Sequence, residues 1–564
     1  MPSSQNAPNI NALPSPSIGQ YLLDRLHDYG ILHIFGVPGD YVLRFNKLIE
    51  NHSDIKFINT VRENTAGYAA DGYARMRGLG VACITYGVGI NISNALSQAY
   101  VESSPLVAIS GAAGVEEFKQ QKARHHLINT TTGPHGDRTQ LEVFKNLTID
   151  QGILDNPKTA AHIIDRVLHN CLKHKKPVYF ELPRDCVDLP LPTPFTPSKH
   201  SPHISDPDAL KEALSETKWI LSKSSRPMIW AGHEILRFGL SQDLLSFAET
   251  FHIPIVSSLL GKTVIDEHHS LFIGVYQGEM CLKDVADAFH QCDCLLMAGL
   301  LLNDLDTGIF TAKLDQNQRI SANQKGLTIG KHHYDIYFSD YIRALKDLSL
   351  TKKFHFPVKS RYSHLPKEIK SNENAKTTTK HVFQCLQQFI KPEHIIVSDV
   401  GDCLFASADL VLYYNSFMAS AYFASLGFGI PGAIGAQLAE PNRRAIAIIG
   451  DGGFQMTAME LATAVRYHLD PVVILLNNHG YGTERILLEG SYNDILNWNY
   501  TLIPKVLGGG VGIKVETEQA FESALKQALS QRGEFYLIEV ELEKLDFSPA
   551  LNRLGELLGQ EINR

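Results

Sequence analysis

The sequence predicts an α/β protein built from three doubly wound parallel-sheet domains in succession. Three observations carry that prediction. The chain has 564 residues, too many for one hydrophobic core. Short β-rich runs alternate with helical stretches along most of it, the pattern of parallel sheets covered on both faces. Two stretches break the alternation, one rich in proline after Pro183 and one polar and lysine-rich over 351–380.

The first unit is read as 17–183. IKFINTV (Ile55–Val61), VACITY (Val81–Tyr86), PLVAISG (Pro105–Gly111) and VYFEL (Val178–Leu182) are its strands, HIFGV is a further apparent strand, and a helix runs over Asn64–Arg75. The proline-rich segment continues neither helix nor central strand and is read as a linker. The second unit, 206–348, has strands PMIWAG (Pro227–Gly232), PIVSSL (Pro254–Leu259) and CLLMAG (Cys294–Gly299). The third, 381–546, has IIVSDV (Ile395–Val400), AIAIIG (Ala445–Gly450), PVVILL (Pro471–Leu476) and FYLIEVEL (Phe535–Leu542). Residues 1–16 read as a flexible polar arm without the basic start or apolar run of a secretory signal. Residues 547–564 form a tail with helical spacing, able to fold back over a neighbour.

Composition excludes several classes. With 44% hydrophobic and 20% charged residues the chain is an ordinary globular protein, and its net charge of −8 offers no basic footprint for nucleic acid or anionic membrane. No stretch approaches the roughly 20 apolar residues of a membrane span. The eight cysteines are sparse, and Cys292 and Cys294 lack the spacing of a zinc knuckle. A reduced, cytoplasmic setting is expected.

The strongest chemical signal is Gly450-Asp451-Gly452, which closes the strand AIAIIG and opens a helix over Ala458–His468. The next strand, PVVILL, ends at Asn477-Asn478, with Gly480 just beyond. Asp451 and Asn478 therefore sit past the C-terminal ends of neighbouring strands, the edge where open parallel sheets bind ligands. A carboxylate and an amide oxygen converging there suit an oxygen-loving ion such as Mg2+. The glycines admit phosphate oxygens to backbone N–H groups, and a helix N-terminus favours their charge. Gly-Asp-Gly alone is equally explained as a simple bend; the Asn-Asn that follows at the next strand end is what favours the ligand.

The segment GDGGFQMTAMELATAVRYHLDPVVILLNN resembles the diphosphate-binding motif of the thiamine diphosphate enzyme superfamily. The resemblance implies that Asp451, Asn478 and the backbone carbonyl of Gly480 hold Mg2+, and that Gly450 and Gly452 border the diphosphate. In the first unit, ENTAGYAADGYAR resembles the same superfamily's pyrimidine-domain signature. That implies a role for Glu63, which by itself reads as a helix N-terminal acid favoured by the dipole. A carboxyl group aimed at the cofactor's aminopyrimidine tautomerises that ring, which then removes the thiazolium C2 proton. ASLGFGIPGAIG (Ala424–Gly435) matches the segment that packs between the two cofactor rings, with Leu426 as the residue forcing them into a V. Family membership further implies a cofactor held between two subunits, hence a homodimer as the minimum active unit and a homotetramer as the expected assembly.

The reaction is decided elsewhere. A decarboxylase must return a proton to the carbon that loses carbon dioxide, which calls for acids near the cofactor. Asp40 in GVPGDY, the pair His125-His126 and Glu484 in GYGTERIL, together with YNDILNWNY (Tyr492–Tyr500), resemble the pyruvate decarboxylase and indolepyruvate decarboxylase subfamily. There the Asp, both histidines and the Glu handle protons during conversion of a small 2-oxo acid to an aldehyde. The pocket departs from that of the pyruvate specialists. Val400 stands where they carry Thr, Leu404 where they carry Trp, and Leu305 where Tyr is usual. A wider, drier pocket for longer-chain or aromatic 2-oxo acids is expected. An acetolactate-synthase-like carboligase is the alternative within the cofactor class, and a catalytically silent binding homologue the alternative outside it.

Overall fold

The computed structural model describes residues 15–120, 123–130, 137–192, 204–314, 319–366 and 368–562. Nearly all of the expected N-terminal arm, and much of the proline-rich linker, lie outside the described residues.

Three sheets follow one another along the chain. The first contains β1 (His33–Gly36), β2 (Lys56–Asn59), β3 (Gly80–Ile84), β4 (Leu106–Ala112), β5 (Asp150–Ile153) and β6 (Val178–Pro183), in the order β2-β1-β3-β4-β6-β5, all parallel. The second contains β7 (Pro227–Ala231), β8 (Ile255–Ser257), β9 (Phe272–Val275), β10 (Cys294–Ala298), β11 (Arg319–Asn323), β12 (Gly326–Ile329) and β13 (His332–Tyr334), in the order β13-β12-β11-β10-β7-β8-β9. The third contains β14 (His394–Ser398), β15 (Phe417–Ala419), β16 (Arg444–Gly450), β17 (Val472–Asn477), β18 (Val511–Val515) and β19 (Tyr536–Glu541), in the order β15-β14-β16-β17-β19-β18, again all parallel.

The helices that bear on the site are α1 (Glu63–Arg77), α2 (Asp402–Ala408), α3 (Gly429–Ala439), α4 (Asp451–Thr457), α5 (Leu461–Arg466), α6 (Gly482–Leu487) and α7 (Pro549–Ile562). The first and third domains share one continuous core in which α1 packs on α3. That approach needs glycine: a Cβ on Gly435 would lie 1.9 Å from the Ala69 carbonyl, and one on Gly72 would lie 2.4 Å from that of Gly432.

Three local departures from the expected elements have identifiable causes. The middle sheet is not wholly parallel, because tight turns at Gln324-Lys325 and Gly330-Lys331 return β12 and β13 antiparallel along its edge. Strand β14 ends at Ser398 rather than Val400, since the Asp399 side chain takes the Val400 N–H that a ladder would have used. The helix expected over Ala458–His468 begins at Asp451 and is broken by a 3-10 turn over Ala458–Glu460, where Thr457 leaves helical geometry and its hydroxyl bonds the Gly427 carbonyl.

The tail forms α7 and folds back over its own chain. Ser548 bonds Asp402 Oδ2 through its N–H at 2.7 Å, and Leu551 and Leu554 pack against Met280 and Phe405. Arg553 joins Asp409 at 2.9 Å.

Candidate active site

In the third sheet the strand order reverses between β14 and β16, which makes the crevice beyond their C-terminal ends the expected ligand site. A cavity of about 560 Å³ opens there, roofed by the 304–309 segment of the middle domain and by α7. Gly450, Gly452, Asn478 and Gly480 line its polar end. Leu305, Val400, Leu404, Leu426 and Glu484 line the remainder, joined by Leu554 and Leu558 of α7. Nine of the side chains and backbone positions singled out in the sequence thus meet in one space.

Register explains the polar end. Gly450 pairs with Leu476, so Asp451 and Asn478 emerge side by side past adjacent strands. Asp451 is fully buried; its Oδ1 accepts the Gly452 N–H and its Oδ2 the Gly480 N–H, both at 2.9 Å. Burial pushes its carboxyl up to about 6, against the pull of those two amides. Among the described residues no Lys or Arg pairs with it. A buried carboxylate with only neutral donors is costly, and a cation beside it relieves the cost. At Gly450 an added Cβ would meet nothing within 4 Å, leaving its backbone open to the cavity. Oxygen donors from Asp451 and Asn478 around that open backbone fit a diphosphate held with a hard divalent cation.

Leu426 is presented by a strap, 420–428, whose neighbours are all anchored. Ser425 is held by Tyr68 Oη at 2.5 Å and Asn94 Nδ2 at 2.6 Å. The Tyr422 and Phe423 amides are held by Glu102 Oε1 at 2.8 and 2.9 Å. Glu102 is itself fixed by the buried Arg75, 2.6 Å away, which also pairs with Asp71.

The remaining predicted residues, Asp40, Glu63, His125 and His126, belong to helices and loops of the first domain, and none of them lines that cavity in this chain. Glu63 opens α1 just past β2 and accepts a 3.0 Å hydrogen bond from Asn91 Nδ2. Asp40 follows β1, and its Oδ2 lies 3.0 Å from His125 Nε2 and 3.5 Å from Arg184 Nη1. His125 stacks on Tyr41, and His126 takes a left-handed φ of 67° with its carbonyl close against Gly87. Asp40, His125 and His126 offer ligand atoms within 4.8 Å of one another, but the Arg184 guanidinium beside Asp40 makes the spot poor for a cation. Within the trio Asp40 meets His125, and the His125 and His126 rings pack edge to face with centroids 4.7 Å apart. Glu484, by contrast, is an exposed residue of α6.

The sequence reading missed Asn91, Arg184 and Asp402. Arg184 lies directly past β6, so the strand-end criterion that found Asp40 applies equally to it. Asp402 lines the cavity with Oδ1 buried and without a hydrogen-bond partner among the described residues, and burial pushes its carboxyl up to about 6.

Comparison with known proteins agrees with this geometry. Residues 16–132 match the N-terminal TPP binding domain of the thiamine pyrophosphate enzymes, 214–346 the central domain and 399–540 the C-terminal TPP binding domain. The chain belongs to the thiamine pyrophosphate enzyme family. It is 30% identical over 553 residues to the alpha-keto-acid decarboxylase of Mycobacterium tuberculosis strain H37Rv, covering 97% of each chain. It is 31% identical over 544 residues to the indole-3-pyruvate decarboxylase of Azospirillum brasilense, covering 95% of this chain and 97% of that one. Within the family it is a thiamine diphosphate-dependent 2-oxo acid decarboxylase.

Proposed function

We propose that this decarboxylase acts on 2-oxo acids with side chains larger than that of pyruvate, releasing the aldehyde and carbon dioxide. The observation that carries the reading is the aliphatic wall of the cavity, where Leu305, Val400 and Leu404 are joined by Leu554 and Leu558. Such a wall rewards each buried methylene and leaves a bare methyl group poorly held.

Thiamine diphosphate supplies the electron sink that makes loss of carbon dioxide feasible. Asp451, Asn478 and the Gly480 carbonyl are the ligands we assign to Mg2+, with Gly450 and Gly452 bordering the diphosphate. Leu426 would support the rings of the bound cofactor, and Glu63 would hold and release a proton at its carboxyl group toward the aminopyrimidine. Asp40, His125, His126 and Glu484 carry protons to the reacting carbon and to the departing product.

Glu63 and the Asp40 trio lie outside the cavity of their own chain, which supports a site completed by a second subunit. The domain assignment that goes with it is pyrimidine-binding over 17–183, middle over 206–348 and diphosphate-binding over 381–546. We assign a homodimer as the active unit, a homotetramer as the assembly and the cytoplasm as the location. Eight free cysteines, seven of them buried, support a reducing compartment. No helix among the described residues is long and apolar enough to cross a membrane.

The test is a set of initial rates for linear, branched and aromatic 2-oxo acids, with and without thiamine diphosphate and Mg2+. Pyruvate as the best substrate of the panel would overturn the substrate assignment, and turnover without Mg2+ the metal assignment.

A further inference from the structure

Asp399 is fully buried at the end of β14 and belongs to none of the groups assigned above. Its carboxylate accepts three backbone N–H groups. Oδ1 takes Val400 at 2.8 Å and Gly427 at 3.0 Å, and Oδ2 takes Gly429 at 2.7 Å. It also abuts the first turn of α4, because a Cβ on Gly453 would lie 3.0 Å from Oδ1. One side chain therefore sets the backbone of a pocket residue, Val400, and of the strap that carries Leu426.

At that end of the strap two side chains, Asp399 and Thr457, hold the backbone of Gly427. Gly427 takes a left-handed φ of 88°, and Ala424 takes one of 57° without being glycine, so the segment is not in a conformation it would choose alone. Ser425 is fixed from the first domain by Tyr68 and Asn94, whereas Gly427 is fixed by Asp399 and by the Thr457 hydroxyl, 2.8 Å from its carbonyl. Leu426 lies between these anchors, half-buried and facing the cavity. Small displacements of a positioned group cost rate steeply.

We propose that Asp399 is a positioning residue for the reaction, holding Leu426 at the place where it brings the cofactor's aminopyrimidine against C2. The inference rests on the role given to Leu426 under the proposed function. Asparagine at 399 keeps the shape but offers one acceptor oxygen in place of two, and it turns an amide N–H toward a backbone N–H. In either amide orientation at least one of the two bonds that tie Gly427 at the end of the strap and Gly429 at the start of α3 to residue 399 is lost.

The test measures hydrogen–deuterium exchange at C2 of thiamine diphosphate bound to the Mg2+-loaded enzyme, together with cofactor affinity. Asp399→Asn is expected to slow exchange at least tenfold while changing cofactor affinity less than threefold, since the diphosphate anchors lie elsewhere. Adding Leu426→Ala to Asp399→Asn is expected to slow it by less than twofold more, because both changes remove the same contact. Exchange at the wild-type rate in Asp399→Asn, or losses that multiply in the double variant, overturns the inference. If Asp399→Asn does not fold, Thr457→Val frees Gly427 from the other side and is judged by the same criteria. Normal exchange in Leu426→Ala alone removes the role of Leu426 itself. Slow exchange there with normal exchange in Asp399→Asn removes only the role of Asp399.

Discussion

Asp451 and Gly480, 29 positions apart in the chain, are joined by a 2.9 Å hydrogen bond from the Gly480 N–H to Asp451 Oδ2. The bond fixes the His479–Gly480 peptide beside the carboxylate, adjacent in the chain to the Gly480 carbonyl assigned as a metal ligand. Asp451→Ala removes a ligand and that orientation together. Loss of a group supporting a metal site typically costs 10–100-fold in affinity, and loss of a ligand is expected to cost roughly 100-fold or more. Equilibrium dialysis with labelled thiamine diphosphate, with and without a chelator, measures it. Full cofactor affinity in metal-free protein would falsify the assignment.

Among the described residues Glu63 accepts one side-chain hydrogen bond, from Asn91. Glu63→Gln retains the shape and the fold but cannot cycle a proton. Exchange at C2 of the bound cofactor is expected to slow by about 10²–10⁴, the usual weight of general acid–base catalysis. Asn91→Ala leaves the carboxyl in place and is expected to slow exchange far less. Quenched NMR measurements on both variants decide the matter; equal effects would reassign the role to the pair.

Leu404 is almost wholly buried and forms part of the cavity wall. Each methylene buried there is worth up to about 0.8 kcal/mol, or roughly fourfold in kcat/KM. Leu404→Trp refills the space and is expected to cut kcat/KM at least tenfold for six-carbon and larger 2-oxo acids, with pyruvate changed less than threefold. A uniform loss across the panel would show that Leu404 does not select substrate.

Glu181 on β6 is buried beside Arg138, 2.9 Å away, and Tyr179. Burial pushes its carboxyl up to about 7, with the Arg138 guanidinium opposing the rise. The folded chain then keeps a proton that the unfolded chain has already lost above about pH 4.5. This contribution to stability is full below that pH and disappears as pH rises through 7. Glu181→Gln removes the titration, so relative to wild type it should be more stable at pH 8 than at pH 5, by on the order of 1–3 kcal/mol. Urea midpoints at the two pH values test it, and a pH-independent difference would rule the mechanism out.

The sequence by itself determined the three α/β modules and the strand-end places of Glu63, Asp40, Asp451 and Asn478. Those features are local: buried apolar runs, helical spacing and glycine turns announce a strand, its end and the helix that follows. A parallel sheet then puts every such end on one edge. Only the tertiary structure decided which edges meet. It put Arg184 on Asp40, Asn91 on Glu63 and Asp399 on the strap of Leu426, and it brought Leu554 and Leu558 over a cavity floored by Leu404. It also left Glu63 and the Asp40 trio outside that cavity within one chain. Each of these depends on packing between segments distant in the chain, where many apolar pairings are nearly equal in free energy and no short pattern of residues singles one out.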